Sequence, residues 1–379
     1  MSNPKQPLSI GLPAGMRDLL PPRASHRRAL ARVALDTWGR YGYALVGLPA
    51  YEHEDTIVRG LGGMARRELV RFLDPDSGEV MVLRPDMTPQ IARVAATRFA
   101  AHPGPLRLAY EGSVVRRPSG RARRQRQLAQ AGIECIGWDH PDADVEVIDA
   151  TLATLRALGL RDLVVELSHA AALDDVIDRV AHGLRADVIE AVAARDGAAY
   201  RALLGAQSPL AHALDRRLSQ RGPWRSLAGP EGSVEAALTA VAAGLDGAAE
   251  VLVDLGELRG RGYYTGVFFQ VLSADVATPL AAGGRYDGLL GRYGAPRAAT
   301  GAAIDLEAVE AARAAQGLGP LEPPRRSVLV IGPRSARRPM AAALRAEGAA
   351  VTEVDDDPAR ADALAASGPF DAVHRVSEK

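Results

Sequence analysis

Gln130, Gly132 and Glu134 alternate along one strand-like stretch, so all three side chains face the same side of whatever sheet that stretch joins. The apolar run from Ile133 to Gly137 and the earlier run from Leu106 to Gly112 read as strands of one antiparallel sheet. An arginine-rich segment forms the loop between them. A strand that turns a glutamine and a glutamate inward beside apolar neighbours restricts the fold sharply. Buried carboxylates are costly unless paired, so the sheet must supply a buried ion pair or leave room for a ligand with donor nitrogens.

Around this pair the pattern is mixed. Pro22 to Gly42 reads as a helix, with Leu30, Val33, Ala34 and Trp38 in helical spacing. Tyr43 to Gly47 is strand-like. Arg66 to Leu83 reads as paired strands around the turn Asp74-Pro75-Asp76-Ser77-Gly78. Thr88 and Pro89 are a helix start for the run to Phe99, with Thr88 as the cap. Helix is predicted again over Asp144 to Leu158, and strands over Leu163 to Leu167, Val251 to Leu255, Val267 to Leu272 and Gly301 to Ile304. Residues 170 to 245 are alanine-rich, broken by Gly222-Pro223 and Gly229-Pro230, and read as a helical insertion. Gly317 to Pro324 reads as a linker. The last fifty or so residues show strand (Ser327–Ile331), helix (Arg338–Glu347), strand (Ala350–Val354) and helix (Ala359–Ala366). That is a small α/β domain with a parallel sheet. The expected division is therefore an α+β core over 1–320 and an α/β domain over 325–379.

Charge and cysteine content narrow the classes. The 46 basic and 46 acidic residues cancel, which disfavours a dedicated nucleic-acid binder. The single cysteine, Cys135, rules out an internal disulfide or a cysteine-rich zinc site and fits a reducing cytoplasm. The eight histidines show no metal-ligand spacing, and no metal or cofactor is expected. Met1 to Ile10 lacks the apolar centre of a signal peptide, and no apolar run reaches the length of a membrane span.

Five places could carry chemistry. In Arg84-Pro85-Asp86-Met87-Thr88 a strand delivers a carboxylate and a hydroxyl to the start of a helix. They either cap that helix or accept from an ammonium group. Arg116, Gln130 and Glu134 lie on adjacent strands, so Glu134 is either a ligand contact or half of an ion pair with Arg116 or another arginine. The run from Arg116 to Arg126, with Arg117, Arg121, Arg123 and Arg124 between, is either a phosphate clamp or a solvated loop. Tyr263-Tyr264-Thr265-Gly266 is prominent in a chain only 4% aromatic, and its phenols suit a small polar ligand. Gly283-Gly284-Arg285-Tyr286-Asp287-Gly288 reads as a glycine-rich turn and adds Arg285 and Tyr286 as weaker phosphate-side candidates.

In this order the pieces resemble the catalytic core of class II histidyl-tRNA synthetases, from Gly15-Met16-Arg17-Asp18 to about Glu307. Arg84-Pro85-Asp86-Met87-Thr88 looks like that family's Arg-Pro-Glu-x-Thr. Tyr110 to Arg116 looks like its motif 2 strand, and Gln130 to Glu134 like the returning strand. Arg259 to Tyr264 looks like its Arg-Gly-Leu-Asp-Tyr-Tyr, and Gly283 to Gly288 like its Gly-Gly-Arg-Tyr-Asp-Gly. The resemblance implies a class II synthetase-like antiparallel sheet flanked by helices. It also implies a histidine pocket. Asp86, Thr88 and Gln130 would hold the α-ammonium, Arg116 or Arg259 the carboxylate, and Glu134, Tyr263 and Tyr264 the imidazole.

The departures matter as much. Ala308 follows Leu306-Glu307 where motif 3 carries a phosphate-gripping arginine, and Pro118 stands where motif 2 carries an acidic residue. Losing an arginine that stabilises a transferring phosphate can cost on the order of 10³-fold in rate. The tail after Pro324 is also short for an anticodon-binding domain. This combination is similar to the regulatory-subunit family of ATP phosphoribosyltransferase in histidine biosynthesis. That likeness implies a non-catalytic partner of the short-form catalytic subunit, with L-histidine as effector and a homodimer as the inner unit. The alternative is a histidyl-tRNA synthetase, or a synthetase paralogue with another role. Arg259 is the residue that the synthetases share and that the regulatory reading does not require.

Overall fold

The computed structural model describes residues 11–377 apart from 62–65, 118–124, 228, 231, 259, 261, 322–324 and 369. The chain divides into two compact units, Met1–Gly319 and Pro320–Lys379.

The first unit opens with helix α1 (Arg23–Arg40), which buries Leu30, Ala34 and Trp38 along one face. Strand β1 (Ala44–Leu45) follows, then a small sheet of β2 (Tyr51–His53), β3 (Arg71–Leu73) and β4 (Val80–Leu83) in the order β2-β4-β3. Helix α2 (Glu54–Gly60) lies between β2 and β3. The β3–β4 turn forms as the sequence indicates: Asp74 accepts from the amide and hydroxyl of Ser77, and Gly78 takes φ +72°.

Helix α3 (Thr88–Arg98) then leads to the long hairpin of β5 (Leu106–Val115) and β6 (Gln127–Ile136), followed by α4 (Pro141–Ala157) and β7 (Val164–His169). The insertion supplies α5 (Asp174–Ile177), α6 (His182–Ala193), α7 (Gly197–Leu204) and α8 (Pro209–Ser219). It has its own apolar cluster, with Leu173, Val176, Ile177, Val188, Val192 and Leu214 buried together. After β8 (Arg221–Pro223) the next helix, α9 (Val234–Gly244), packs on α4 and β7 and so belongs to the core rather than to the insertion. The unit closes with β9 (Glu250–Asp254), β10 (Val267–Leu272), β11 (Ala281–Arg285), α10 (Gly288–Gly291), β12 (Ala299–Asp305) and α11 (Leu306–Ala315).

Nine of these strands form one sheet in the order β1-β5-β6-β12-β11-β10-β7-β9-β8. Its centre is antiparallel. The pairs β1–β5 and β7–β9 are parallel, the second because the connection between them crosses over through α9. Gly283, Gly284 and Arg285 are strand residues of β11 paired with β12, so the first half of the glycine-rich run expected to be a turn is strand. Gly283 lets β11 approach β12 closely, and Gly284 does the same toward β10.

The second unit holds β13 (Ser327–Ile331), α12 (Arg334–Ala346), β14 (Ala350–Val354), α13 (Pro358–Ser367) and β15 (Ala372–Arg375). All pairings are parallel, in the order β14-β13-β15. The sequence reading stopped one strand short, because Ala372–Arg375 is brief and half exposed. Among the described residues no helix is long and apolar enough to cross a membrane, and no acidic, histidine or cysteine side chains are grouped to hold a metal.

Candidate functional site

A cavity of about 400 Å³ opens over the middle of the large sheet, lined from β6, β11, β12, the start of α3 and the loop before β10. It gathers Asp86, Thr88, Arg116, Gln130, Glu134, Tyr263, Tyr264 and Tyr286. These come from segments scattered over two hundred residues of sequence. Arg259 and Arg124, with Pro118, lie outside the described residues.

Glu134 is the centre. It is 1% exposed, and no lysine, arginine or histidine among the described residues forms an ion pair with it. Instead three hydroxyls donate to its carboxylate. Thr88 Oγ1 reaches Oε1 at 2.7 Å, the Tyr110 phenol reaches the same oxygen at 3.2 Å, and the Tyr286 phenol reaches Oε2. Burial pushes the Glu134 pKa up to about 8, although the three donors favour the charged form. The Tyr110 and Tyr286 phenols are raised well above their ordinary value by burial and by the adjacent Glu134.

Arg116 does not meet Glu134. Its Nη2 lies 3.6 Å from Asp86 Oδ2 and its Nε donates to the Pro85 carbonyl at 2.5 Å. Both side chains of the Asp86–Arg116 pair are about one-third exposed, at 29% and 32%, so the pair sits at the cavity mouth. The other carboxylate oxygen of Asp86 accepts the amides of Met87 and Thr88. Asp86 therefore holds the amides at the entry to α3 and also faces the cavity, while Thr88, expected as the cap, is the first helical residue and turns its hydroxyl to Glu134. Gln130 contributes a buried Oε1 with no hydrogen-bond partner among the described residues. Such atoms are rare and carry a desolvation penalty until something donates to them.

The two tyrosines share the cavity wall. Tyr263 and Tyr264 meet edge to face at 5.1 Å, Tyr263 lies 5.6 Å from Tyr286, and Tyr264 stacks on Phe268 at 5.2 Å. Tyr263 sits in a turn and Tyr264 in an isolated bridge at its end, and both line the cavity.

Two phosphate-side candidates resolve differently. Tyr286 lines the cavity. Arg285 faces away from it and is a scaffold residue: its Nη2 donates to Asp144 Oδ2 at 2.8 Å and to the His140 carbonyl at 2.9 Å, tying β11 to the start of α4. Adjacent residues of a strand point to opposite faces, so Arg285 and Tyr286 separate. Arg126 is also absent from the cavity wall; its backbone joins the chain to Gly15 and Arg116. Ala308 is buried in the first turn of α11, where its amide donates to Asp305.

Tyr110 is the functional-looking residue that sequence reading missed. The signal was present: Tyr110 pairs with Gly132 across the hairpin, and a Cβ on Gly132 would stand 2.4 Å from the phenol oxygen. A large ring facing a glycine on the polar side of a strand pair marks a filled pocket floor.

The family model for histidyl-tRNA synthetase matches residues 15–309. A protein of Anaeromyxobacter dehalogenans named ATP phosphoribosyltransferase regulatory subunit is 40% identical over 88% of this chain and 99% of its own. One of the same name from Geobacter sulfurreducens is 33% identical over 81% of this chain and 74% of its own. A crystal structure from Bacillus halodurans, described as an ATP phosphoribosyltransferase regulatory subunit/histidyl-tRNA synthetase, superposes with a TM-score of 0.83 at 28% identity and full coverage of both chains. With a class II synthetase-like fold and relatives of this name over four-fifths or more of its length, the chain belongs to the ATP phosphoribosyltransferase regulatory subunit family.

Proposed function

We propose that this chain is a non-catalytic subunit that assembles with the short-form ATP phosphoribosyltransferase catalytic subunit, is required for its activity, and binds L-histidine to inhibit the first step of histidine biosynthesis. The observation that carries the ligand is the bonding state of Glu134. A carboxylate offers about four acceptor positions, and three are filled by hydroxyls. The remaining position on Oε2 suits one ring N–H of an imidazole. At the mouth, Arg116 suits the ligand carboxylate. Asp86 and the unsatisfied Gln130 oxygen suit its α-ammonium. Tyr263 and Tyr264 supply the aromatic wall and further hydroxyls. A ligand lacking the ring nitrogens would leave Glu134 short of a partner, which is how such a site selects histidine.

Regulation requires that histidine favour the inactive arrangement of the complex over the active one, since equal affinity shifts nothing. For self-association, the small sheet offers Tyr51, Phe72, Leu73 and Val80, all exposed, with the Tyr51 and Phe72 rings in contact at 5.3 Å. That apolar surface supports a homodimer as the inner unit.

The deciding experiment is titration of the purified chain with L-histidine and, separately, with ATP, followed by reconstitution with the catalytic subunit. The reading expects saturable histidine binding, no pyrophosphate exchange, and a catalytic subunit that works only with this chain and is inhibited by histidine. Pyrophosphate exchange would return the chain to the synthetases. A catalytic subunit indifferent to its presence would overturn the regulatory role.

A further inference from the structure

We propose that Arg195, on the helical insertion, is a positioning residue for the tyrosine wall of the cavity, and that ligand occupancy and the seating of the insertion are coupled through it. The proposal rests on reading the cavity as the histidine site.

The connection starts at Asp254, the last residue of β9, which is 1% exposed. Only eight residues, 255–262, separate it from Tyr263. Both of its carboxylate oxygens are committed. Oδ2 takes Arg195 Nη2 at 2.5 Å, and Oδ1 takes the Gly256 amide at 2.8 Å, which fixes the chain's exit from the sheet. Arg221 Nε stands 3.7 Å from the same Oδ2, but its guanidinium is engaged with Glu166 at 2.7 Å. Arg195 is thus the principal cation for a carboxylate that cannot stay buried without one.

Arg195 is itself held in an unusual place. It follows α6 with φ +56°, one of two non-glycine residues with positive φ among those described. Non-glycine residues adopt that region in only a few per cent of cases. The exit segment then remains against the insertion. The Leu255 amide donates to the Gln220 carbonyl at 3.1 Å. A Cβ on Gly256 would stand 2.6 Å from the Leu218 side chain and 2.8 Å from Arg195 Nη1. Leu258 packs on the insertion's apolar cluster. At the far end the Tyr263 and Tyr264 amides both donate to the Gly260 carbonyl, and the Tyr263 ring reaches Tyr286. Leu255, Gly256 and Leu258 are seated on the insertion, and Tyr263 and Tyr264, a few residues on, form the cavity wall. A ligand that fixes the tyrosines must therefore stabilise the seated insertion, and the reverse holds by linkage.

The test is hydrogen exchange on the full chain, with and without L-histidine, for wild type, Arg195→Gly, Arg195→Lys and Arg195→Gln. Glycine removes the guanidinium at a φ it adopts freely, so backbone strain cannot explain a loss. Arg195→Gln keeps most of the stem should the glycine variant not fold. The expected result without ligand is exchange about tenfold faster or more over 255–264 in the glycine and glutamine variants, with lysine restoring protection. In wild type, L-histidine slows exchange in 195–220 as well as in 255–264. The 195–220 effect disappears in the variants, whose affinity falls about tenfold, a coupling of ordinary size. Wild-type exchange over 255–264 in a folded variant, or ligand protection that never reaches the insertion, overturns the proposal. If wild type does not bind L-histidine, the ligand assignment fails, while the ligand-free comparison of 255–264 still decides the role of Arg195.

Discussion

Gly301 lies directly opposite Glu134 in the β6–β12 pairing, and a Cβ added to it would stand 1.6 Å from Glu134 Oε2. The carboxylate occupies the space that any other residue would fill. Gly301→Ala is expected to expel Glu134 from its three hydroxyl donors, destabilising the fold by about 1–3 kcal/mol as overpacking does. The double variant Gly301→Ala/Glu134→Ala should recover part of that loss in denaturant unfolding. Simple additivity would mean that the clash lies elsewhere, at the Ile133 carbonyl 2.6 Å from the same Cβ.

Glu134 should also make stability fall with rising pH. Its folded pKa is about 8 against an ordinary 4.5. Between those values the folded state holds a proton that the unfolded state has lost, so raising the pH favours unfolding, and the penalty is complete above about 8. Glu134→Gln lacks this titration. The stability difference between Glu134→Gln and wild type should therefore grow from about pH 5 to about pH 8, by a few kcal/mol, and then level off. Parallel stability curves for the two proteins would show that Glu134 is ionised in the free protein.

In ligand binding, Glu134→Ala should remove measurable L-histidine affinity, a loss of about 100-fold or more, because the imidazole loses its hydrogen-bond partner. The far-ultraviolet circular dichroism should be unchanged. A folded variant with wild-type affinity would remove Glu134 from the site.

Arg285→Met tests the scaffold assignment. Asp144 would be left buried without its cation, at a cost of about 3–5 kcal/mol, visible as a lower denaturation midpoint. In the folded variant L-histidine affinity should stay within a few-fold of wild type, since Arg285 does not line the cavity. A large selective loss of affinity would restore it to the site.

The apolar patch on the small sheet gives a prediction for assembly. Phe72→Glu combined with Leu73→Glu should convert dimer to monomer in sedimentation, by placing charge in a desolvated contact. Unchanged mass would move the dimer contact to another surface.

Much of this architecture was legible in the chain. The hairpin of β5 and β6, the inward Gln130–Glu134 alternation, the β3–β4 turn and β10 and β13 follow from period and turn chemistry alone. What escaped depended on partners distant in sequence. The glycines of 283–284 carry no strand propensity, and only their pairing with β12 makes them strand. Tyr51–His53 is a three-residue strand stabilised by β4. Arg285 and Tyr286 could not be told apart without knowing which face of β11 is covered by α4. Thr88 looked like a cap because Thr-Pro is a strong start signal, whereas a buried carboxylate nearby outbid the backbone for its hydroxyl.

The order of strands in the large sheet also governs when the cavity can exist during synthesis. Glu134 leaves the ribosome early, on a hairpin whose other neighbour, β12, is some 165 residues further along the chain. Until β12 arrives, the polar face of β6 has no wall, and when Glu134 emerges only Thr88 and Tyr110 of the three hydroxyl donors to the carboxylate have been made. Non-local pairing of this kind is slow. A nascent or truncated chain ending before Ala299 would present β6 as an open strand edge, the sort of edge that chaperones cover and that neighbouring chains pair with.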